Sequence, residues 1–159
     1  MSEQNNTASE LETLISSREI NIAGESLTVR EYTLRDSLTL HEPIAQLVSA
    51  LADVMKERAL AFDDVEALLA RHADIIPALV ARSVDKPVEW VATLSATQGQ
   101  TLLDWFWTVN RHFFTTAAVR RLTVQAAVEM KQSDSAASSQ HSSEPGITPS
   151  DSNTTHTAS

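Results

Sequence analysis

The sequence predicts a mainly α protein: a small helical domain with an N-terminal β-hairpin and a disordered Ser/Thr-rich C-terminal tail. Apolar residues recur at helical spacing over most of the chain after Tyr32, whereas period-two alternation is confined to one stretch around Gly24. The chain has only 3 glycines, too few for the turns of a sheet-rich fold. From residue 132 onward Ser and Thr dominate and aromatic residues are absent, so burial there cannot offset the entropy of ordering the chain.

These changes in composition divide the chain into three segments. We predict a flexible N-terminus over residues 1–17, in which Ser9–Glu12 has the form of a capping box and would close a short helical turn. The folded domain is predicted over residues 18–131, and the disordered tail over residues 132–159. The length of 159 residues has room for one domain of ordinary size.

The hairpin is predicted over residues 19–32. Ile20 and Ile22 before the central glycine, and Leu27 and Val29 after it, alternate with polar residues. This pattern is typical of two strands that bury one face. Because a two-stranded sheet is marginal in water, the hairpin must pack on helices or pair with another chain.

The helices are predicted from their start signals. A residue that can cap a helix, or a proline in a first turn, precedes each apolar repeat. On this basis helices begin after Thr33 with Asp36, near Pro43, at Asp63 with Glu66, near Pro77, after Asp85, and after Ser95 with Gln98. The last helix is the longest, running from about Ala96 through Phe114 and on towards Met130.

Composition argues against several functional classes. The net charge of −9 disfavours contact with the phosphate backbone, so we expect no nucleic acid as partner. No apolar run reaches eighteen residues and the first residues are polar, so we expect no membrane segment and no secretory signal. The absence of cysteine excludes disulfides and thiolate chemistry, and a cytosolic protein is the plain expectation.

The sequence also lacks the motifs of catalysis. None of the 5 histidines is paired at metal-ligand spacing, no G-x-S-x-G elbow is present, and the glycines lie far apart. The acidic pair Asp63–Asp64 is better explained by helix capping than by acid–base chemistry. We therefore expect no enzyme activity, no catalytic residues, no metal site and no cofactor.

The most unusual segment is residues 102–114, whose apolar arc is wider than a surface helix needs. In one interpretation it is a central helix surrounded by the others. In the other, part of the arc stays exposed and binds a partner, since Trp and Phe are favoured at protein interfaces. Both hold if Phe106 and Phe113 point inward while Trp105 or Trp107 faces a partner. Asn110, the polar residue in the arc, is expected to tie the helix to a backbone loop or to fix a register.

The order of features from residue 18 to about 131 resembles the tail assembly chaperones of long-tailed bacteriophages and prophages. A short hairpin precedes several small helices, followed by Glu89-Trp90 before a leucine and by the pair Gln98-Gly99. The run Trp107-x-Val109-Asn110-x-x-Phe113-Phe114 carries most of the resemblance.

The resemblance implies a non-enzymatic protein made late in infection, present in the host bacterial cytoplasm and absent from the mature virion. Such chaperones coat the tape-measure protein and help to recruit tail-tube subunits around it, and many exist in a longer, frameshifted form. Association between copies is left open. We predict that an acidic rim surrounds the residues that bind apolar helical stripes of the partner: Trp105, Trp107, Asn110, Phe113 and Phe114.

Two alternatives from other classes remain. The chain could be a structural or connector component of a phage tail, which would stay in the assembled particle. It could also be a small acidic helical regulator that binds a host protein.

Overall fold

The computed structural model describes residues 16–139 and Gly146. In this part of the chain, two strands are followed by six helices. They are β1 (Ser17–Ile22), β2 (Glu25–Arg30), α1 (Leu34–Thr39), α2 (His41–Glu57), α3 (Phe62–Arg71), α4 (Ile76–Ser83), α5 (Val88–Ala92) and α6 (Ala96–Ser139). The chain divides into two compact units, residues 1–124 and 125–159. The core and the surfaces described below belong to the first unit; in the second, the side chains of residues 125–137 are exposed.

The predicted fold class is confirmed, because the described residues are mainly helical and begin with an antiparallel hairpin. The predicted start of the tail at residue 132 is wrong, since α6 continues to Ser139. No proline or glycine lies between Gly99 and Pro145, and Ala136 and Ala137 favour helix. The predicted capping box at Ser9–Glu12, the N-terminus up to residue 15 and the rest of the tail apart from Gly146 lie outside the described residues.

The hairpin forms where the alternating pattern predicts it. Ala23 and Gly24 make a two-residue turn with φ values of 54° and 77°. Two positive φ angles in a two-residue loop are the geometry of a type I′ turn, whose twist matches that of the strands. Ile20 and Leu27 lie opposite each other in the register of the two strands. The face of the hairpin that packs on the core buries Leu27 and Val29.

Four of the predicted helix starts are confirmed, including the one near Pro43, which lies in the first turn of α2. Thr33 Oγ1 accepts a hydrogen bond from the Asp36 backbone N–H at 3.2 Å, and Asp36 Oδ2 accepts one from the Thr33 N–H at 3.0 Å. Ser95 and Gln98 make the same reciprocal pair at the start of α6. Pro77 lies in the first turn of α4. Both capping pairs are local signals, since their bonding residues are three positions apart.

Two predicted helix starts are wrong. α3 begins at Phe62, because Asp64 Oδ2 accepts the Ala61 N–H at 3.1 Å and thereby places the helix start before Asp63. Asp85 does not cap α5, whose N-cap position is Pro87. Asp85 instead has a φ of 52° and receives two hydrogen bonds from the guanidinium of Arg30, at 2.9 and 2.8 Å.

Asn110 joins the hairpin to α6 in the middle of the core. Its Oδ1 accepts the Tyr32 backbone N–H at 3.1 Å, and its Nδ2 donates to the Arg30 and Phe106 carbonyls, both at 3.2 Å. The Tyr32 hydroxyl in turn donates to the Leu79 carbonyl at 2.5 Å, and burial raises the pKa of this phenol. The expectation that Asn110 ties the helix to a backbone loop is confirmed.

A second polar cluster holds the end of the hairpin against α1 and α4. The carboxylate of Asp36 is buried and binds Arg30 Nη1 at 2.6 Å and Arg82 Nε at 2.5 Å. Burial by itself raises the pKa of Asp36. The hydrogen bonds from Arg30, from the Thr33 backbone and from Arg82 outweigh this effect and hold the pKa well below its ordinary value of 3.8.

Replacing Asn110 with Ala should lower the free energy of unfolding by roughly 2 to 4 kcal/mol, because the Tyr32 N–H and the Arg30 carbonyl lose their partner. Urea denaturation followed by circular dichroism measures the change. His112→Ala, an exposed position on the same helix, is the control and should change stability by less than about 0.5 kcal/mol. Equal effects of the two substitutions would contradict the role given to Asn110.

The Asp36 cluster predicts a pH dependence. A carboxyl whose pKa is lowered by folding stabilises the fold above its unfolded pKa and loses this contribution as the pH falls towards its folded pKa. The stability difference between wild type and Asp36→Asn should therefore narrow by on the order of 1 kcal/mol between pH 6 and pH 3. Urea denaturation at both pH values measures it, and a constant difference would contradict the prediction.

Candidate partner-binding surface

Two of the five residues predicted to bind a partner lie in the core. Asn110 and Phe114 both have 0% of their surface exposed, so neither lies on a surface that a partner could contact. Asn110 is held there by its bonds to the hairpin, and Phe114 by ring contacts. For these two residues the prediction of direct partner contact is wrong. The remaining three, Trp105, Trp107 and Phe113, are half-buried.

Phe113 belongs to an aromatic cluster that fastens α6 to the hairpin. Its ring centroid lies 5.6 Å from that of Tyr32 and 5.1 Å from that of Phe114, both in edge-to-face geometry. Phe106 completes the cluster at 5.9 Å from Phe114. Such pairs add to the stabilisation from burial. The interpretation of residues 102–114 as a central helix is therefore right for most of the arc, and Phe106 and Phe113 point inward as expected.

The two tryptophans differ in what covers them. The guanidinium of Arg18 lies 4.7 Å from the ring centroid of Trp105, in cation–π geometry, so β1 shields this side chain. Trp107 stacks on Phe114 with centroids 6.1 Å apart and an angle of 18° between the rings. It also lines a groove between α3 and α6. Of the two, Trp107 is the one available to a partner.

We call this feature the α3–α6 groove. It consists of two adjoining pockets of about 350 and 90 Å³ that share Phe62, Val65 and Trp107. The smaller pocket is mainly apolar, the larger one has apolar and polar lining in similar measure, and the charged lining residues are Glu66, Asp104 and Arg111. The lining residues are Leu60, Ala61, Phe62, Val65, Glu66, Leu69, Gln100, Leu103, Asp104, Trp107, Thr108, Arg111 and Thr115.

Phe62 is the groove residue that the sequence analysis missed. Its side chain is 68% exposed, although a phenylalanine is normally buried. A single exposed apolar residue carries no meaning, but Phe62 adjoins Trp107, Leu103 and Leu60 in one concave strip. The apolar signal was present in the sequence. The predicted capping residue, Asp63, lies two residues after the observed one, Ala61, and this left Phe62 in a loop.

A second exposed apolar pair lies on α1. Leu34 and Leu38 are 77% and 66% exposed and are four residues apart, so they lie on the same side of the helix. They line neither pocket of the α3–α6 groove, which distinguishes them from Phe62. This pair offers a matched comparison for the groove in the experiments below.

A further hollow lies apart from the groove. It has a volume of about 820 Å³ and is lined by residues that include His41, Asp53, His72 and Arg121. Among residues 16–139 and Gly146, no group of three His, Asp or Glu side chains is placed to hold a metal ion. No helix in the same part of the chain combines the length and the apolar character needed to cross a bilayer.

Truncating a side chain on the groove surface and one in the core beneath it should have different effects on the free energy of unfolding. Phe114→Ala should lower the free energy of unfolding by about 3 to 5 kcal/mol, since it opens a cavity among buried rings. Phe62→Ala should change it by less than about 1 kcal/mol, because the side chain is mostly exposed. Thermal and urea denaturation measure both. A severe loss with Phe62→Ala would show that this residue is a core residue and not part of a free surface.

The groove and its scaffold lie within a recognised sequence family. Residues 10–151 match the family described as a family of unknown function, DUF6631. No curated protein and no solved structure matches the chain. The matched range covers both strands and all six described helices. The chain therefore belongs to the DUF6631 family.

Proposed function

We propose that this protein is a tail assembly chaperone of a long-tailed bacteriophage or prophage. It binds the tape-measure protein and helps to recruit tail-tube subunits during tail assembly. The observation that carries the proposal is the α3–α6 groove, an exposed apolar strip at Trp107, within the run of residues that resembles these chaperones. The role is one of binding, without a chemical reaction.

The groove has the properties expected of a surface that binds an amphipathic helix. The exposed Phe62 and the half-buried Trp107 line the same pockets, and the buried Val65 and Leu69 line the smaller of these pockets with them. The apolar face of a helix binds such a groove through residues spaced three and four apart. Trp107 is backed by its stack on Phe114, so little side-chain freedom remains to be lost on binding.

Charge supports the same role. The net charge of −9 makes copies of the chain repel one another. Complexes with an aggregation-prone client would repel one another in the same way. A client whose apolar stripes are covered by several copies would gain the same repulsion. In this proposal the protein acts in the host bacterial cytoplasm and leaves the tail before the virion is complete.

Co-expression with the tape-measure protein encoded in the same genome tests the proposal. Wild-type protein should keep the tape-measure protein soluble and co-purify with it in many copies. Phe62→Asp should weaken the complex about 30-fold, as expected for the loss of an interface hot spot worth about 2 kcal/mol. Leu34→Asp, at an equally exposed apolar residue outside the groove, is the matched control and should bind normally.

The contradicting outcomes are distinct. A tape-measure protein that stays insoluble beside the wild-type chain, which elutes alone, would overturn the proposed function. Circular dichroism of both variants verifies that each remains folded. Mass spectrometry of purified particles addresses the connector alternative, because a chaperone should be missing from them whereas a connector would be present.

A further inference from the structure

We infer that the α3–α6 groove accepts a partner helix in one direction only, with the N-terminal end of that helix beside Glu66 and Asp104 and its C-terminal end beside Arg111. The partner is thus an amphipathic helix with basic residues at its N-terminal end. This inference rests on the proposed function in taking the groove as the client site, and it adds the direction and charge pattern of the client.

The two walls of the groove run antiparallel. Phe62, at the start of α3, lines the pocket that contains Arg111 and Thr115. Glu66 and Leu69, further along α3, line the pocket that contains Gln100 and Leu103. Residue numbers therefore increase along α3 in the direction in which they decrease along α6. The two halves of the groove are therefore distinct, one containing Asp104 and the other Arg111.

The charged residues that α6 contributes to the groove are about two helical turns apart. Seven residues of α6 separate Asp104 from Arg111, which corresponds to about 10 Å along the helix axis. A partner helix of matching length would place apolar side chains at positions i, i+3 or i+4, and i+7 over Leu103, Phe62 and Trp107.

A helix fits this floor better than an extended segment does. The floor consists of side chains from two helices, whose backbone groups are already hydrogen-bonded within each helix. An extended segment would lay its own N–H and C=O groups over the apolar side chains of Val65 and Leu103 without partners. A helix satisfies these groups internally and presents only side chains.

The charges at the two ends are opposite. Glu66 and Asp104 are exposed and come from different walls, yet they line the same pocket. Arg111 is exposed in the other pocket. Within residues 16–137, neither Glu66 nor Arg111 forms an ion pair, whereas Asp64, which lines neither pocket, is paired with Arg58.

These charges select a direction. A helix carries a partial positive charge at its N-terminus and a partial negative charge at its C-terminus. The favourable arrangement therefore places the N-terminus beside Glu66 and Asp104 and the C-terminus beside Arg111. Lysine or arginine in the first turn of the partner, and acidic residues in its last turn, strengthen the preference. The bound helix would run parallel to α6 and antiparallel to α3.

Two synthetic peptides of identical composition test the direction. Both are 12-residue, acetylated and amidated helices with leucines at i, i+3, i+4 and i+7, stapled so that circular dichroism shows equal helicity, which places their first and last turns about 12 Å apart. One has lysines in its first turn and glutamates in its last, and the other has these charges exchanged. Fluorescence anisotropy with the full-length protein should show the first peptide binding about tenfold more tightly.

Variants of the protein supply the controls. Exchanging the end charges with Glu66→Lys, Asp104→Lys and Arg111→Glu should reverse the preference between the peptides. Phe62→Ser should weaken both peptides equally, and Leu34→Ser should change neither.

Equal affinity for both peptides, or a preference that the charge exchange leaves unchanged, would overturn the inference. Failure of both peptides to bind would overturn it too, and light scattering would then show whether a second copy occupies the groove through a dimer lost in Phe62→Ser. Neither result decides whether the tape-measure protein is the client, which the co-expression experiment settles separately.

Discussion

The hydrogen bonds of Asn110 fix the hairpin against α6, and the remaining contacts of the core are arranged around them. An amide in the apolar interior is costly unless its donors and acceptor are all paired, so only one placement of the hairpin end satisfies it. With the Tyr32 N–H held by Asn110, the phenol ring packs against Phe113 and Phe114 and its hydroxyl reaches the Leu79 carbonyl. One side chain of α6 thereby positions the hairpin relative to both α6 and α4.

This constraint also decides which aromatic residues of α6 remain available. The face of α6 that carries Asn110 packs in the core, and Phe106 and Phe114, on the same face, are buried there as well. Trp105 lies on a flank that β1 reaches, where Arg18 covers it. Only Trp107 combines contact with the core and a place in an open groove. The candidate binding surface therefore consists of the part of the apolar arc that is not buried in the core, together with residues from α3.

How much of this could be predicted from the sequence depends on the range of each signal. The Gly24 turn and the capping pairs at Thr33 and Ser95 involve residues at most three positions apart, and they were predicted correctly. The tie made by Asn110 was predictable because a single amide in an apolar arc needs partners, although which backbone groups supply them was not. The groove could not be predicted, since it depends on which helix packs beside α6. Phe62 lies in α3 because Asp64 accepts a hydrogen bond from the Ala61 N–H. This bond starts α3 earlier than the pattern indicated.

The central claim is that the α3–α6 groove is the surface through which this protein holds its client. Site-specific photo-crosslinking tests it most directly, with benzoylphenylalanine at position 62 or at position 34 of the protein co-expressed with the tape-measure protein. Both positions are exposed and apolar, but only the first lies in the groove. The account predicts a crosslink to an apolar helical stripe of the client from position 62 and none from position 34. Crosslinks from position 34 alone, or from neither position in a soluble complex, would contradict it.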